Sequence, residues 1–520
     1  MNRAPGDAVL PARTNLTVTA GAFFLILFGY MILAFQLGNA PLQDLPNHLA
    51  RAHIMGDLLF NHGANYGRLF EIVPSFSPYL FGDLILASLD SLVGIEWAAR
   101  LWIAASFLLL PLSVASFLRA YGVAREVTYV GAILALYLVS GWLFATGLID
   151  FQLGLACVFF ACASLKKYLT TGQLRSLFGF LLFVTIGYLF HLSALVFICF
   201  LMGVYFVLAV FRKSQSARTI LLLSAWPALL LLIHYVIASR HPVVGPWPTY
   251  WGGVASKLSR IALPGYRFSV PLDMPIFACF VAACVVGLFF NGRRIGDESM
   301  GLLLTAAACL GLYAAMPSST GHIYYVDLRA LPLSFVFLMS AGLIAGAHSK
   351  KCSRLQFVLA VVMATANLAL LLLEMVPLNA AMGRYKEIAS LVPAGAHVLP
   401  IDTRTQIVHF RPFLHAGSYA TIYAGAVTPY LFSADQDAGM PYFKYFHRDN
   451  APSAYWYGSL TLADSRKAEA GGPIPGPTLE EIRRQFAYLL ITVPWDPSKI
   501  SEHVSVVAKN DIAALLKVEP

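Results

Sequence analysis

The sequence predicts an all-α polytopic membrane protein of about 11 transmembrane helices with a C-terminal extracytoplasmic α/β domain. Three observations carry that class. Apolar residues make up 58% of the chain against 12% charged, and the mean hydropathy is +0.68. Apolar runs of about 20 residues, the length that a hydrocarbon core of about 30 Å demands, recur along the first three quarters. Lys and Arg gather in short clusters at the ends of those runs.

In chain order the runs fall at 18–38, 98–118, 127–147, 151–167, 174–190, 191–211, 218–238, 273–290, 299–316, 328–347 and 355–377. The first is long for a signal-peptide core and lacks a small-residue cleavage site, so it reads as an uncleaved span. The stretch 174–211 is too long for one helix crossing and predicts a hairpin turning near His191. Segment 77–94 carries Asp83 and Asp90 and predicts an amphipathic helix at the outer interface instead of a span. With that choice, the basic clusters Arg119/Arg125, Lys166/Lys167/Arg175, Arg212/Lys213/Arg218, Arg293/Arg294 and Lys350/Lys351/Arg354 all fall on the cytoplasmic side, as does the N-terminus with Arg3 and Arg13. Residues 39–97, 148–150, the turn at 191, 239–272, 317–327 and the tail from 378 then lie outside.

The expected division is a transmembrane domain over 1–377, whose first outer loop is 39–97, and a periplasmic α/β domain over 378–520. In the tail, strand-like runs at 396–401, 488–493 and 504–507 alternate with helix-like ones at 479–486 and 511–516. The net charge of +9 follows the positive-inside pattern, which argues against a nucleic-acid partner. Six of the seven cysteines lie in apolar segments, and Cys352 lies in a basic loop. No spacing suggests a disulfide framework.

Polar chemistry concentrates outside the spans. The segment 43–53 (QDLPNHLARAH) places Pro46 in a first helical turn and Asp44 at its start. His48, Arg51 and Met55 then share a helical face. An N-capped interfacial helix with solvated charges has the same spacing. Asp150 lies in a short outer turn between two apolar helices. An acid so close to hydrocarbon is costly and is a functional candidate, although it could also cap the next helix. His191 sits at a hairpin turn, where a lone His is more often a satisfied interface residue than a ligand. The loop with Arg240, His241, Lys257, Arg260 and Arg267 interleaves cations with Trp and Tyr. It suits either an anionic head group or ordinary interfacial anchoring. Asp327 and Arg329, entering a later span, are spaced to pair with each other.

The order of a first span, an outer segment with the early acid Asp44, the Pro78-Tyr-Leu interfacial helix and Glu96-Trp-Ala-Ala-Arg100-Leu resembles the polyprenyl-phosphate-sugar-dependent membrane glycosyltransferases, the GT-C superfamily. Its protein O-mannosyltransferase and lipid A aminoarabinose transferase branches look most alike. The likeness spans about residues 18–345 and includes Tyr325-Val-Asp-Leu-Arg-Ala-Leu-Pro332. Two departures stand out: Leu45 follows Asp44 where the family often has an Asp-Glu pair, and Phe190-His191-Leu192 replaces a Lys-Gly-Pro.

The resemblance implies an inner-membrane enzyme moving a sugar from a polyprenyl-phosphate donor to a lipid, glycan or protein acceptor at the outer face. Asp44 would be the catalytic base, with Asp150 and His48 orienting it or the acceptor. Arg51, Arg100, His191, Arg240, His241, Lys257, Arg260, Arg267 and Arg329 are the candidates to bind the lipid phosphate. No cofactor is certain, and a divalent metal stays open, although the lack of an Asp-Glu pair at Asp44 weakens a metal-bridged acid pair. Two other readings remain: a polysaccharide ligase or polymerase using the Arg/His loop, and a lipid-linked-glycan transporter. The near absence of mid-span charges disfavours the transporter.

Overall fold

The structure is a computed structural model that describes residues 16–72, 75–239, 249–262, 270–290, 295–320, 323–402, 410–429, 431, 443–445, 484–493 and 504–519. Helices α1 (Leu16–Gln36), α2 (Leu45–Phe60), α3 (Leu80–Val93), α4 (Ile95–Ala120), α5 (Arg125–Val139), α6 (Trp142–Ala145), α7 (Ile149–Thr171), α8 (Leu174–Phe190) and α9 (Leu192–Phe211) come first. They are followed by α10 (Ser216–Leu223), α11 (Ala225–Ser239), α12 (Val254–Arg260), α13 (Val270–Phe290), α14 (Asp297–Ala315), α15 (Ala330–Gly346), α16 (Lys350–Ala389) and α17 (Ser418–Ala424).

Among the described residues, nine helical segments are long and apolar enough to cross a membrane: α1, α4, α7, α9, α10 with α11, α13, α14, α15 and α16. The other two expected runs are also helical but shorter. Helix α8 has 17 residues, and α5 has 15 because Ser140 and Gly141 break it before α6. Segment 77–94 forms α3, whose 14 residues extend only about 21 Å, too short to span. Pro377, the expected end of the last span, lies inside the 40-residue α16, which continues to Ala389.

Burial grades the bundle. The apolar window of α15 is 89% buried, so this helix is central, whereas that of 216–239 is only 17% buried and faces outward. Loop 39–44 is pinned to the break between α5 and α7, where Gln43 N donates to Ala145 O and Asp44 N to Thr146 O, both at 3.1 Å. Gly147 makes that junction possible. Its φ is +80°, and a Cβ there would lie 2.8 Å from the Asp44 nitrogen.

The C-terminal region carries a four-stranded mixed sheet of β4 (Val398–Ile401), β6 (Tyr488–Thr492), β7 (Val504–Lys509) and β8 (Ala513–Val518), in the order β4-β6-β8-β7. The remaining strands are β1 (Phe70–Ile72), paired with β5 (Phe443–Tyr445), and the hairpin β2 (Ser319–Thr320) with β3 (Ile323–Tyr324). Strand β4 runs parallel to β6, and β8 is antiparallel to both β6 and β7.

The strand-like readings hold. The helix-like reading of 511–516 is corrected, because those residues enter β8, an interior strand buried over 513–516. Run 479–486 lies largely outside the described residues. Alternate residues sort to two faces, as the period of two requires. Leu399, Ile401, Leu489, Ile491, Ala514 and Leu516 form one cluster, while Val398, Leu490, Ala513 and Leu515 join the core of the helical bundle.

Candidate active site

Helices α2, α3, α7, the α8–α9 turn and the start of α15 converge, and residues 410–424 cover the convergence. Asp44 occupies the residue before α2, but its carboxylate makes no cap hydrogen bond. Its contacts are long ones: Gln43 Nε2 donates at 3.4 Å, and His415 Nε2 stands at 3.5 Å. Gln43 is oriented by its other end, since its Oε1 accepts from Arg411 N at 3.0 Å, which turns its amide nitrogen toward Asp44. Burial with so few partners raises the Asp44 pKa from the ordinary 3.8 to about 7, against the lowering effects of Gln43 and Arg329.

One turn along α2, His48 Nδ1 lies 3.0 Å from Arg51 Nη2 and 3.4 Å from Asp150 Oδ2. The guanidinium can only donate, so that nitrogen accepts and the imidazole proton sits on Nε2. Burial, then Arg51, then His415 hold the His48 pKa well below its usual value. Arg51 itself is fully buried and grips Asp83 of α3 with two hydrogen bonds, Nε–Oδ2 at 2.5 Å and Nη2–Oδ1 at 2.7 Å.

Asp150 lies within the first turn of α7, past its Leu148 cap, so it does not cap that helix. It is 3% exposed, and neither carboxylate oxygen has a hydrogen-bond partner of normal geometry among the described residues. Its side chain lies against Gly82, where a Cβ would come within 2.6 Å of Oδ1.

His191 is the residue before α9. Its Nδ1 accepts from Ser193 N at 3.0 Å, which leaves Nε2–H to donate to the Tyr79 hydroxyl at 2.9 Å. Burial lowers the His191 pKa, helped by Arg329 and His48. Tyr79 has the left-handed backbone angle φ +69°, a strained state for a bulky side chain, which aims its ring between the acids and the arginines. Burial raises its hydroxyl pKa. Both Asp150 and Asp44 add to the rise, while Arg329 and Arg51 oppose it.

Arg329 ends the 3-10 turn Asp327–Arg329 that opens α15. It is 8% exposed, and its Nε has no hydrogen-bond partner among the described residues. Its charge is felt at Asp44, Tyr79 and His191. It does not pair with Asp327 as the spacing suggested. Asp327 instead accepts from Arg260 Nη2 at 3.0 Å and Ser318 Oγ at 2.8 Å.

Of the sequence candidates, Asp44, His48, Arg51, Asp150, His191 and Arg329 therefore come together. Lys257 and Arg260 are committed elsewhere. Lys257 Nζ donates to the carbonyls of Tyr313, Ala314 and Met316, and Arg260 holds Asp327 and Ser318. Arg100 stacks on Trp97 at 4.7 Å and lies against Gly38. Arg240, His241 and Arg267 lie outside the described residues.

Sequence reasoning missed Asp83, Tyr79 and His415. An acid with apolar residues on both sides in 80–86 was the available signal for Asp83. Nothing local marked His415, which lies 371 positions after Asp44 in the chain, farther than a typical domain is long.

His48, Asp83 and Asp150 offer ligand atoms within 4.8 Å of one another, a spacing that could hold a cation. The donor set does not fit a resident metal. Arg51 already bridges both Asp83 oxygens and faces the His48 nitrogen, so the positive charge of this cluster is its guanidinium. No protein-family model, no curated protein and no solved structure matches the chain.

Proposed function

We propose that the chain is an integral-membrane glycosyltransferase moving a sugar from a polyprenyl-phosphate donor to an acceptor hydroxyl. The observation that carries this reading is a pair of buried groups within reach of each other's charge: the carboxylate of Asp44, with its pKa raised to about 7, and Arg329, whose Nε has no hydrogen-bond partner among the described residues. A base tuned near neutrality and a cation with spare donors are what displacement of a phosphate leaving group requires.

In the reaction, the Asp44 carboxylate takes the acceptor hydroxyl proton while that oxygen attacks the anomeric carbon. The bond from that carbon to the phosphate oxygen breaks, its electron pair passes to the phosphate, and Arg329 neutralises the charge. Configuration at the anomeric carbon inverts. Tyr79, once His191 donates to its oxygen, retains its own O–H for donor or acceptor oxygens. His48 and Asp150 orient the acceptor, and Arg51 with Asp83 fixes α2 against α3. No step needs a metal.

The reading assumes eleven crossings, including α5 and α8, with the N-terminus cytoplasmic and the C-terminal region periplasmic, in a bacterial-type inner membrane. The ligase alternative loses support because Lys257 and Arg260, the described cations of its loop, are spent on the carbonyls and Asp327.

The test is transfer of radiolabelled sugar from polyprenyl-phosphate donors in membranes carrying wild type or Asp44→Asn at equal abundance. Loss of transfer by about 100-fold or more is expected. Full activity of the Asn variant removes Asp44 from the chemistry.

A further inference from the structure

A second site lies at the far end of the same helices. From Asp150 to Lys166 along α7 is about 24 Å, and from His191 to Arg212 along α9 about 32 Å, so Lys166 and Arg212 stand at the opposite end of the helices from the acids. There α7, α9, α10 and α14 leave a cavity of about 290 Å³. Leu165, Leu169, Leu208 and Leu302 give it an apolar wall, and Lys166, Arg212 and Glu298 form its charged rim.

The rim cations are held loosely. Lys166 Nζ donates to the two Glu298 oxygens at 2.8 and 3.1 Å, but the Glu298 side chain is 52% exposed, so exchange for another anion costs little. Arg212 Nη2 donates to the Asp297 carbonyl at 2.6 Å, which holds its guanidinium over the opening. Inside, the buried Tyr205 hydroxyl, beside Tyr121 and Cys162, makes no hydrogen bond of normal geometry among the described residues. On the helices that line it, Phe211 is 80% and Leu222 66% exposed.

We propose that this cavity binds an anionic phospholipid, with the head-group phosphate on Arg212 and Lys166 and the start of an acyl chain along the leucine wall. Basic pockets between helices at the cytoplasmic end of a bundle are suited to anionic head groups. A free phosphate ester would gain the charges but not the wall. A zwitterionic lipid would gain the wall but bring its own cation to the rim. The site is independent of the acid cluster and of the chemistry proposed there.

The experiment uses the full chain in detergent micelles, with binding of dioleoyl phosphatidylglycerol, dioleoyl phosphatidylcholine and glycerol 3-phosphate read by native mass spectrometry. Wild type is expected to retain phosphatidylglycerol about tenfold more strongly than either comparison probe. Arg212→Gln with Lys166→Gln is expected to abolish that preference. Glu298→Gln, which removes the only acid among the described lining residues and releases Lys166, is expected to tighten phosphatidylglycerol binding about threefold, a gain that misfolding cannot imitate. Equal retention of the two lipids, glycerol 3-phosphate binding as well as phosphatidylglycerol, an unaltered double variant, or no gain in Glu298→Gln each overturns the proposal.

Discussion

Arg51 and Asp83, 32 positions apart and both fully buried, are joined by paired hydrogen bonds of 2.5 and 2.7 Å that clamp helix α2 to helix α3. Removing one partner strands the other charge in a dry interior, a loss of about 3–5 kcal/mol. Arg51→Met and Asp83→Leu are each expected to lower the melting temperature of the purified protein sharply. The double variant Arg51→Met/Asp83→Leu should recover most of that loss. A double variant no better than the worse single one would show that the pair acts through some other contact.

Asp44 ties activity and stability to pH in opposite directions. In the proposed reaction the base is the carboxylate, so the rate should rise with pH through about 7 and level off above it. The folded chain keeps a proton that the unfolded chain releases between about pH 4 and 7. Stability contributed at this position is therefore present at low pH and falls across that window. Asp44→Asn should accordingly melt higher than wild type at pH 8 and close to it at about pH 4 and below, while losing transfer.

His415 provides a check on whether the C-terminal region belongs to the site. Burial, with Arg411, holds its pKa near 4, so it is neutral at working pH, and its Nε2 stands 3.5 Å from Asp44. His415→Phe removes that partner from the carboxylate. An apolar ring in place of that polar neighbour deepens the desolvation of Asp44, so the midpoint of the pH–rate profile is expected to move upward by about 0.5–1 unit. A lowered plateau with an unchanged midpoint would assign His415 a purely structural part.

Gly82 is the most economical probe of Asp150. A methyl group at that position meets the carboxylate at 2.6 Å and must push it aside. Gly82→Ala should reduce transfer by about 100-fold, the scale of a displacement near 1 Å, with little change in expression. Gly21→Ala, which meets nothing within 4 Å, serves as the silent control.

Arg329 is expected to be harder to replace than its charge alone suggests. Arg329→Gln should reduce turnover by about 10²–10³-fold. Arg329→Lys should recover only part of it, because a point charge does not reproduce the planar fork. Full rescue by Lys, measured as transfer at saturating donor, would mean that net charge is all the site asks of this position.

The parts legible in the sequence were those with local signatures. Hydrophobic run length located the helices, and Asp83 and Asp90 in an apolar segment marked α3 as a non-spanning helix, which its 14 residues bear out. Asp44, His48, Arg51, Asp150, His191 and Arg329 stood out as polar residues at the ends of apolar runs, where burial is expensive. What failed depended on partners distant in the chain. The segment 511–516 is rich in Ala and Leu, good helix formers, yet it lies in β8 because hydrogen-bonded neighbours on both sides outweigh propensity. Asp327 looked like a partner for Arg329 two positions away, but Arg260, 67 positions back, takes it. Asp83 was read only as a mark of an interfacial helix, because nothing in its own helix announces a guanidinium from α2.

The two-faced sheet sets an order of events in biosynthesis. His415 is carried by a segment fastened to β4 through Val398 and Val427. Strand β4 pairs with β6, β6 pairs with β8, and one face of all three is sealed into the bundle. All the helices of the bundle will therefore have left the ribosome before residues 513–518 are made and the cover over Asp44 can close. A chain stopped upstream of β8 is therefore expected to leave the segment that carries His415 without its anchored sheet.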